Sequence, residues 1–202
     1  MMELIHAAAS PFVRMVTVTA HEVGLIDQIK IVDTATSPLN TSQEAGSANP
    51  LGRIPALIRP EGGALYDSRV ICRYLNDRAG GSLYPAARQW EVLTLEATGQ
   101  GIADSAVSMI YEVRMKAEGS QSDDWIEAQW GKVSGALDAI EARWMSHLHG
   151  PLDIGQIAVA CALGYVDLRH DARRWRDKRT SLAAWYEKFS QRTSMQATHP
   201  EG

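Results

Sequence analysis

Short alternations and helical periods divide the first eighty residues of the chain into a regular succession of elements. Glu3-Leu4-Ile5-His6-Ala7 is apolar and β-leaning and predicts a first strand. Val13, Val16, Ala20 and Val23 then recur at helical spacing. Ser10 is placed to cap that helix, Pro11 to open it and Gly24 to stop it. Ile29 and Ile31 alternate with Gln28 and Lys30, so residues 26–33 form a second strand. Residues 34–48 are rich in Ser, Thr and Asn and predict a loop with a short helix. The run Asn49-Pro50-Leu51-Gly52-Arg53 turns the chain before the apolar stretch 54–58, a third strand. Pro60-Glu61-Gly62-Gly63 turns it again, and Ala64-Leu65-Tyr66 is expected to return as a hairpin partner. Asp67 and Ser68, both good caps, precede the amphipathic run Arg69 to Leu75, a helix over 68–78.

Beyond Gly80-Gly81-Ser82-Leu83-Tyr84-Pro85 the pattern changes. All six tryptophans follow residue 85, and helical periods run through 86–119 and 123–149. Ser122-Asp123 can cap the second of these, and Gly150-Pro151 ends it. Asp153-Ile154-Gly155-Gln156 has the form of a capping box, with Leu152 and Ile157 placed as a hydrophobic staple. Gln156 is therefore read as structural. The small residues Ala158, Ala160, Ala162 and Gly164 permit close helix packing in the segment that follows.

Composition narrows the function more than the fold. At 202 residues with net charge −4 the chain has the core of a globular protein and the wrong balance for nucleic acid. No apolar run approaches the roughly 20 residues that span a bilayer. No basic leader with a cleavage site opens the sequence. Cys72 and Cys161 form neither a disulfide framework nor a metal spacing, and both sit among apolar residues. A cytoplasmic protein that uses no metal is expected. His6 has the context of a core histidine, and His147 and His149, two apart, face away from each other on a helix.

The chemistry concentrates where strands meet helices. Asp67-Ser68 at a helix start offers amides and the positive end of the helix dipole to a carboxylate. Pro55, at the mouth of a strand, would by base rates follow a trans peptide, since about 5–6% of X-Pro bonds are cis. Gly52-Arg53-Ile54-Pro55-Ala56-Leu57 followed by Tyr66-Asp67-Ser68 resembles the glutathione-binding signature of the glutathione transferase superfamily. The resemblance covers essentially the whole chain. It implies an α+β, thioredoxin-like glutathione-binding domain over 1–82 and an all-α domain over 86–202 that contributes the electrophile pocket. It also implies a cis bond before Pro55, a backbone clamp at Ile54, and a γ-glutamyl carboxylate site at Asp67 and Ser68.

Within that superfamily the sulfur is served by a cysteine, a tyrosine or a serine at the first strand-to-helix turn. No cysteine precedes residue 72 and no tyrosine precedes Tyr66, which leaves Ser10. Ser10-Pro11-Phe12-Val13-Arg14 resembles the first-helix entry of bacterial serine-type or atypical members. A serine before proline is also an ordinary helix cap, so both roles stand for Ser10. Arg53 stands as a glutathione ligand or an exposed side chain, and Arg14 as a first-turn surface or interdomain arginine ahead of a glutathione ligand. Phe12, Asp104, Ser108, Tyr111 and Tyr165 stand as lining for the electrophile pocket. The resemblance implies a homodimeric, cytoplasmic detoxification enzyme that conjugates glutathione to small apolar electrophiles. It leaves open glutathione-dependent isomerisation, dehalogenation or peroxide reduction on the same site, and a binding module without turnover.

Overall fold

The computed structural model describes residues 1–200. By packing, these divide into two compact units. One is Met1–Gln89 together with the described residues from Thr193 onward; the other is Trp90–Arg192. The sequence places a single boundary near residues 82–86, whereas the packing returns the end of the chain to the first unit.

In that unit a three-stranded sheet has the order β2-β1-β3, formed by β1 (Met2–His6), β2 (Ile29–Asp33) and β3 (Ala56–Ile58). β1 is parallel to β2, with Met2 opposite Ile29 and His6 opposite Asp33. It is antiparallel to β3, with Glu3 opposite Ile58 and Ile5 opposite Ala56. β1 is therefore the central strand, buried on both faces, as a run of Met2, Leu4 and Ile5 requires. Ile5 packs with Ala45, Ala48 and Ala56. Ala45 and Ala48 lie on α2 (Gln43–Ala48), which Ser42 caps through its side-chain oxygen. Leu4, by strand alternation, faces the other way. Helices α1 (Pro11–Glu22) and α3 (Ser68–Ala79) pack on one another, burying Val13, Val16, Ala20, Ile71, Cys72 and Leu75.

Two expectations are corrected here. Strand β2 begins at Ile29 rather than 26, because Ile26–Gln28 forms a 3-10 turn. The expected hairpin shrinks to one antiparallel bridge, Leu57 to Leu65, closed by two 2.9 Å bonds. Only three residues separate the Gly62-Gly63 turn from Asp67, where helix capping takes over the backbone, so there is room for one rung.

The second unit is helical: α4 (Gln89–Met115), entering from the first unit, α5 (Asp123–Arg143), α6 (Met145–Leu148), α7 (Ile154–His170) and α8 (Thr180–Phe189). α7 is buried from Ile154 through Val166, which suits a helix that is small and apolar on every side. Gly99 of α4 explains how closely it is approached: a Cβ there would stand 2.6 Å from the carbonyl carbon of Ala158. Asp153 caps α7 by accepting from the Gln156 amide at 3.3 Å. The Gln156 side chain donates from its amide nitrogen to the carbonyls of His147, Gly150 and Pro151 at 3.0–3.3 Å and secures the preceding turn. Arg179 is buried and fully engaged, with Nε on Asp138, Nη1 on the Trp175 carbonyl and Nη2 on Ser134. A last helix, α9 (Thr193–Ala197), packs on α1 in the first unit.

Candidate functional site

Ser10 closes the turn from β1 into α1. Its amide donates to the Ala7 carbonyl at 3.0 Å, and its own carbonyl accepts from Arg14 at 3.0 Å to begin the helix. The Ser10 Oγ accepts from the Val13 amide at 3.3 Å, as an N-cap should. That bond uses an oxygen lone pair and leaves the hydroxyl proton to be donated elsewhere. Ser10 and its neighbour Phe12 are half-buried.

The second element is the loop ahead of β3. Asn49, only 3% exposed, spans it: Oδ1 accepts from the Leu51 amide at 2.9 Å and Nδ2 donates to the Arg53 carbonyl at 2.8 Å. Gly52 adopts φ 63°, and a Cβ there would sit 2.7 Å from the Thr41 methyl, so both conformation and space require glycine. Asn49 and Gly52 together fix the backbone that delivers Ile54. The Ile54-Pro55 peptide is cis, as the resemblance implies and against the base rate for X-Pro bonds, and the Tyr66-Asp67 peptide is cis as well. Arg53 is exposed, Ile54 is half-buried and Pro55 is buried.

The third element is the start of α3, where the Asp-Ser pair divides its labour. Asp67 is the N-cap: Oδ1 accepts from the amides of Arg69 at 3.0 Å and Val70 at 3.5 Å, and Oδ2 meets the Arg69 guanidinium at 3.1 Å. Ser68 is the first helical residue and is 1% exposed.

The remaining candidates lie on the helical unit. Asp104 is exposed on α4, and one turn later Ser108 donates its hydroxyl to the Ser105 carbonyl at 2.8 Å. Tyr111 is 38% exposed and Tyr165, on α7, is 6% exposed. Burial pushes the Tyr165 phenol up to about 12, with Tyr111 adding to the rise and Arg169 and Arg114 opposing it. Tyr165 is therefore a neutral donor near neutral pH and no base. The structure thus brings Tyr111 and Tyr165 into one electrostatic neighbourhood, while Ser108 already spends its proton on its own helix.

Both cysteines are buried and unlinked, which removes them as nucleophiles. Among the described residues no group of His, Cys, Asp or Glu is arranged to hold a metal, and no helix is long and apolar enough to cross a membrane. Two further residues matter here, one without a role in the sequence reading and one placed differently by it. Asn49 carried the only available signal, an asparagine opening a Pro-Leu-Gly turn, where its side chain bonds the nearby backbone. Arg14, expected at the surface or between domains, is 5% exposed and donates from Nη2 to the Met195 carbonyl at 3.0 Å within the first unit.

The chain as a whole has close counterparts among known proteins. Residues 9–78 match the glutathione S-transferase N-terminal domain and residues 123–188 the glutathione S-transferase C-terminal domain. A glutathione transferase family member from Pseudomonas fluorescens Pf-5, solved with bound glutathione, is 40% identical over all of both chains, with a TM-score of 0.97. A glutathione S-transferase from Methylobacillus flagellatus KT, also with glutathione bound, is 32% identical over all of both chains, with a TM-score of 0.86. The uncharacterized GST-like protein YibF of Escherichia coli K12 is 28% identical over 98% of each chain. With both of the family's domains matched in order and a relative of 40% identity along its whole length, the chain belongs to the glutathione S-transferase family.

Proposed function

We propose that the protein is a glutathione transferase that activates the glutathione thiol at Ser10 for attack on a small apolar electrophile. The observation that carries this reading is the Ser10 hydroxyl, half-buried at the amide end of α1 with its proton uncommitted by the Val13 bond. A free thiol titrates at about 8.5, so little thiolate exists at neutral pH. A hydroxyl donor beside a helix N-terminus favours the thiolate by about 1–3 kcal/mol, roughly one or two pKa units. The thiol proton leaves to solvent, the sulfur forms a bond to the electrophilic carbon, and the leaving group departs with its bonding pair.

The other elements supply binding. The Ile54 backbone, aimed by Asn49 and Gly52, clamps the cysteinyl portion, and Ser68 at the start of α3 receives the γ-glutamyl carboxylate. Asp67 serves by holding that helix start in place, and Arg53, exposed beside the clamp, offers a further cation. Tyr111 and Tyr165, with Asp104 and Ser108, are the proposed electrophile-lining residues of the helical unit, and Phe12 is the one proposed on α1 of the first unit. The glutathione bound in the Pseudomonas and Methylobacillus relatives supports this assignment. A homodimer belongs to the same reading, with Val70 (48% exposed) and Trp90 (74% exposed) available for a second copy to cover.

The test is conjugation of chlorodinitrobenzene by the native chain and by Ser10→Gly. Glycine replaces a cap at a cost of only a few tenths of a kcal/mol, so the variant should stay folded. Loss of one or two pKa units of thiol activation should cut turnover at neutral pH by about ten- to a hundredfold. Full activity in Ser10→Gly leaves Ser10 as a cap and overturns the mechanism. Glutathione binding without turnover in the native chain makes the protein a binding module instead.

A further inference from the structure

A second opening lies within the first unit, away from the residues assigned to glutathione. A cleft of about 340 Å³ runs between α1, the edge strand β2 and the closing turn around α9. Its polar lining consists of Arg14, Thr17 and His21 on one face of α1, His6 at the end of β1, and Thr198 and His199 after α9. No carboxylate lines it among the described residues, and neither Ser10, Ile54 nor Ser68 does. The volume is that of a small-ligand pocket.

The hydrogen bonds show which of these groups are spoken for. Thr17 donates to the carbonyls of Val13 and Arg14, and Thr198 donates to that of Ser194. His6 uses Nδ1 on Asp33 at 2.6 Å. Arg14 differs from all of them. It is 95% buried by residue surface, at 5% exposed, yet among the described residues its Nε and Nη1 have no hydrogen-bond partner and no carboxylate pairs with it. The contrast with Arg179, equally buried and with all three nitrogens engaged, is direct. Burying a guanidinium without a counter-charge is costly, and an oxyanion that accepts a charge-assisted hydrogen bond from one of the idle nitrogens offsets that cost.

We propose that this cleft binds a small organic oxyanion, a carboxylate or a phosphate monoester with a short apolar body, on Arg14, His21 and His199. Ile26 and Ile31 on the opposite wall receive the apolar part. The idle nitrogens are shielded from solvent, and the guanidinium is held beside the closing turn by the bond from Nη2 to the Met195 carbonyl. The cleft is separate from the placement proposed above for glutathione, on which this distinction rests, since Ser10, Ile54 and Ser68 do not line it.

The test uses the full chain, saturated with glutathione so that the first site is closed. Butyrate and inorganic phosphate are titrated separately by calorimetry and by following the imidazole resonances of His21 and His199, with butylamine as the cationic control. One equivalent of one anion should bind saturably and shift both resonances; the tighter of the two identifies the head group. Arg14→Gln should weaken binding at least about tenfold, the loss of a charge-assisted pair. If Arg14→Gln unfolds, the surface pair His21→Gln with His199→Gln carries the test, and should weaken the anion with glutathione affinity unchanged. A response shared by butylamine, no saturable response to either anion, or full affinity retained in the folded variants would overturn the site.

Discussion

Asn49→Ala tests whether the proposed glutathione clamp at Ile54 depends on a single buried side chain. The substitution removes two hydrogen bonds, Asn49 Nδ2 to the Arg53 carbonyl at 2.8 Å and the Leu51 amide to Asn49 Oδ1 at 2.9 Å. Leu51 and Arg53 are exposed, so water can take up their freed backbone groups, which keeps each loss near the net value of a neutral hydrogen bond. Two such bonds come to about 1–2 kcal/mol. For a chain of this size that lowers the melting temperature by roughly 2–8 °C. The larger effect should be on the ligand. The loop 49–53 sets the direction of the Ile54 backbone, and a freed loop samples other directions, so glutathione affinity should fall by about tenfold, a further ~1.4 kcal/mol. Asn49→Asp sharpens the result. It keeps the acceptor for Leu51 but sets a carboxylate against the Arg53 carbonyl, so it should lose as much affinity as alanine or more. Thermal denaturation and glutathione titration of both variants decide it. Unchanged dissociation constants in both, whatever the melting temperatures, would refute the role of Asn49 in aiming the clamp.

Three further predictions follow from single positions. Ser68→Ala should weaken glutathione by about 1–2 kcal/mol, roughly five- to thirtyfold, with the circular dichroism unchanged; an unaltered dissociation constant removes Ser68 from the carboxylate site. Burial holds the imidazole of His170 below its usual range, against the opposing pull of the Ala106 carbonyl it bonds at 2.9 Å, with Arg173 and Arg169 lowering it further. The unfolded chain therefore takes the proton first as pH falls: the stability His170 contributes is complete above about 6.5 and is lost on acidification toward the lower folded value. The melting temperature of His170→Gln should depend less on pH across that window than that of the native chain, and equal slopes would defeat the assignment. Gly99→Ala drives a methyl against the Ala158 backbone and should destabilise by about 1–3 kcal/mol, read by urea denaturation; a more stable variant would mean that the α4–α7 crossing can open without cost.

What was legible in the sequence was local. Ser10, Pro11 and Gly24 announce the bounds of α1 because caps act within one turn of the helix they cap, and the Asp67 cap is legible for the same reason. The succession of elements in the first unit follows from periods a few residues long. The returning strand was overread because its alternation is real but its length is set by the helix cap that follows it. Arg14 was misplaced for the opposite reason: the carbonyl that holds it belongs to Met195, 181 positions away, and nothing near Arg14 announces that partner. His6 was read as a core residue from its apolar neighbours, yet it ends the strand and turns to Asp33, its partner across the sheet. At the candidate site the residue types were visible in the chain, whereas the staple that aims the clamp was not. Asn49 looks like any turn asparagine until both ends of its amide are seen engaged.

The return of α9 to the first unit has a consequence for the nascent chain. Arg14 rests on Met195, and Glu22 at the end of α1 accepts from Ser194. The polypeptide leaving the ribosome therefore makes its sheet-containing module first and closes it last. Until residues 193–197 emerge, α1 lacks the contacts that Met195 and Ser194 make with it, while the residues of the helical unit, Trp90–Arg192, are still being added. Domains made early usually fold early. Here the early module receives its last contacts only after the whole of the intervening synthesis.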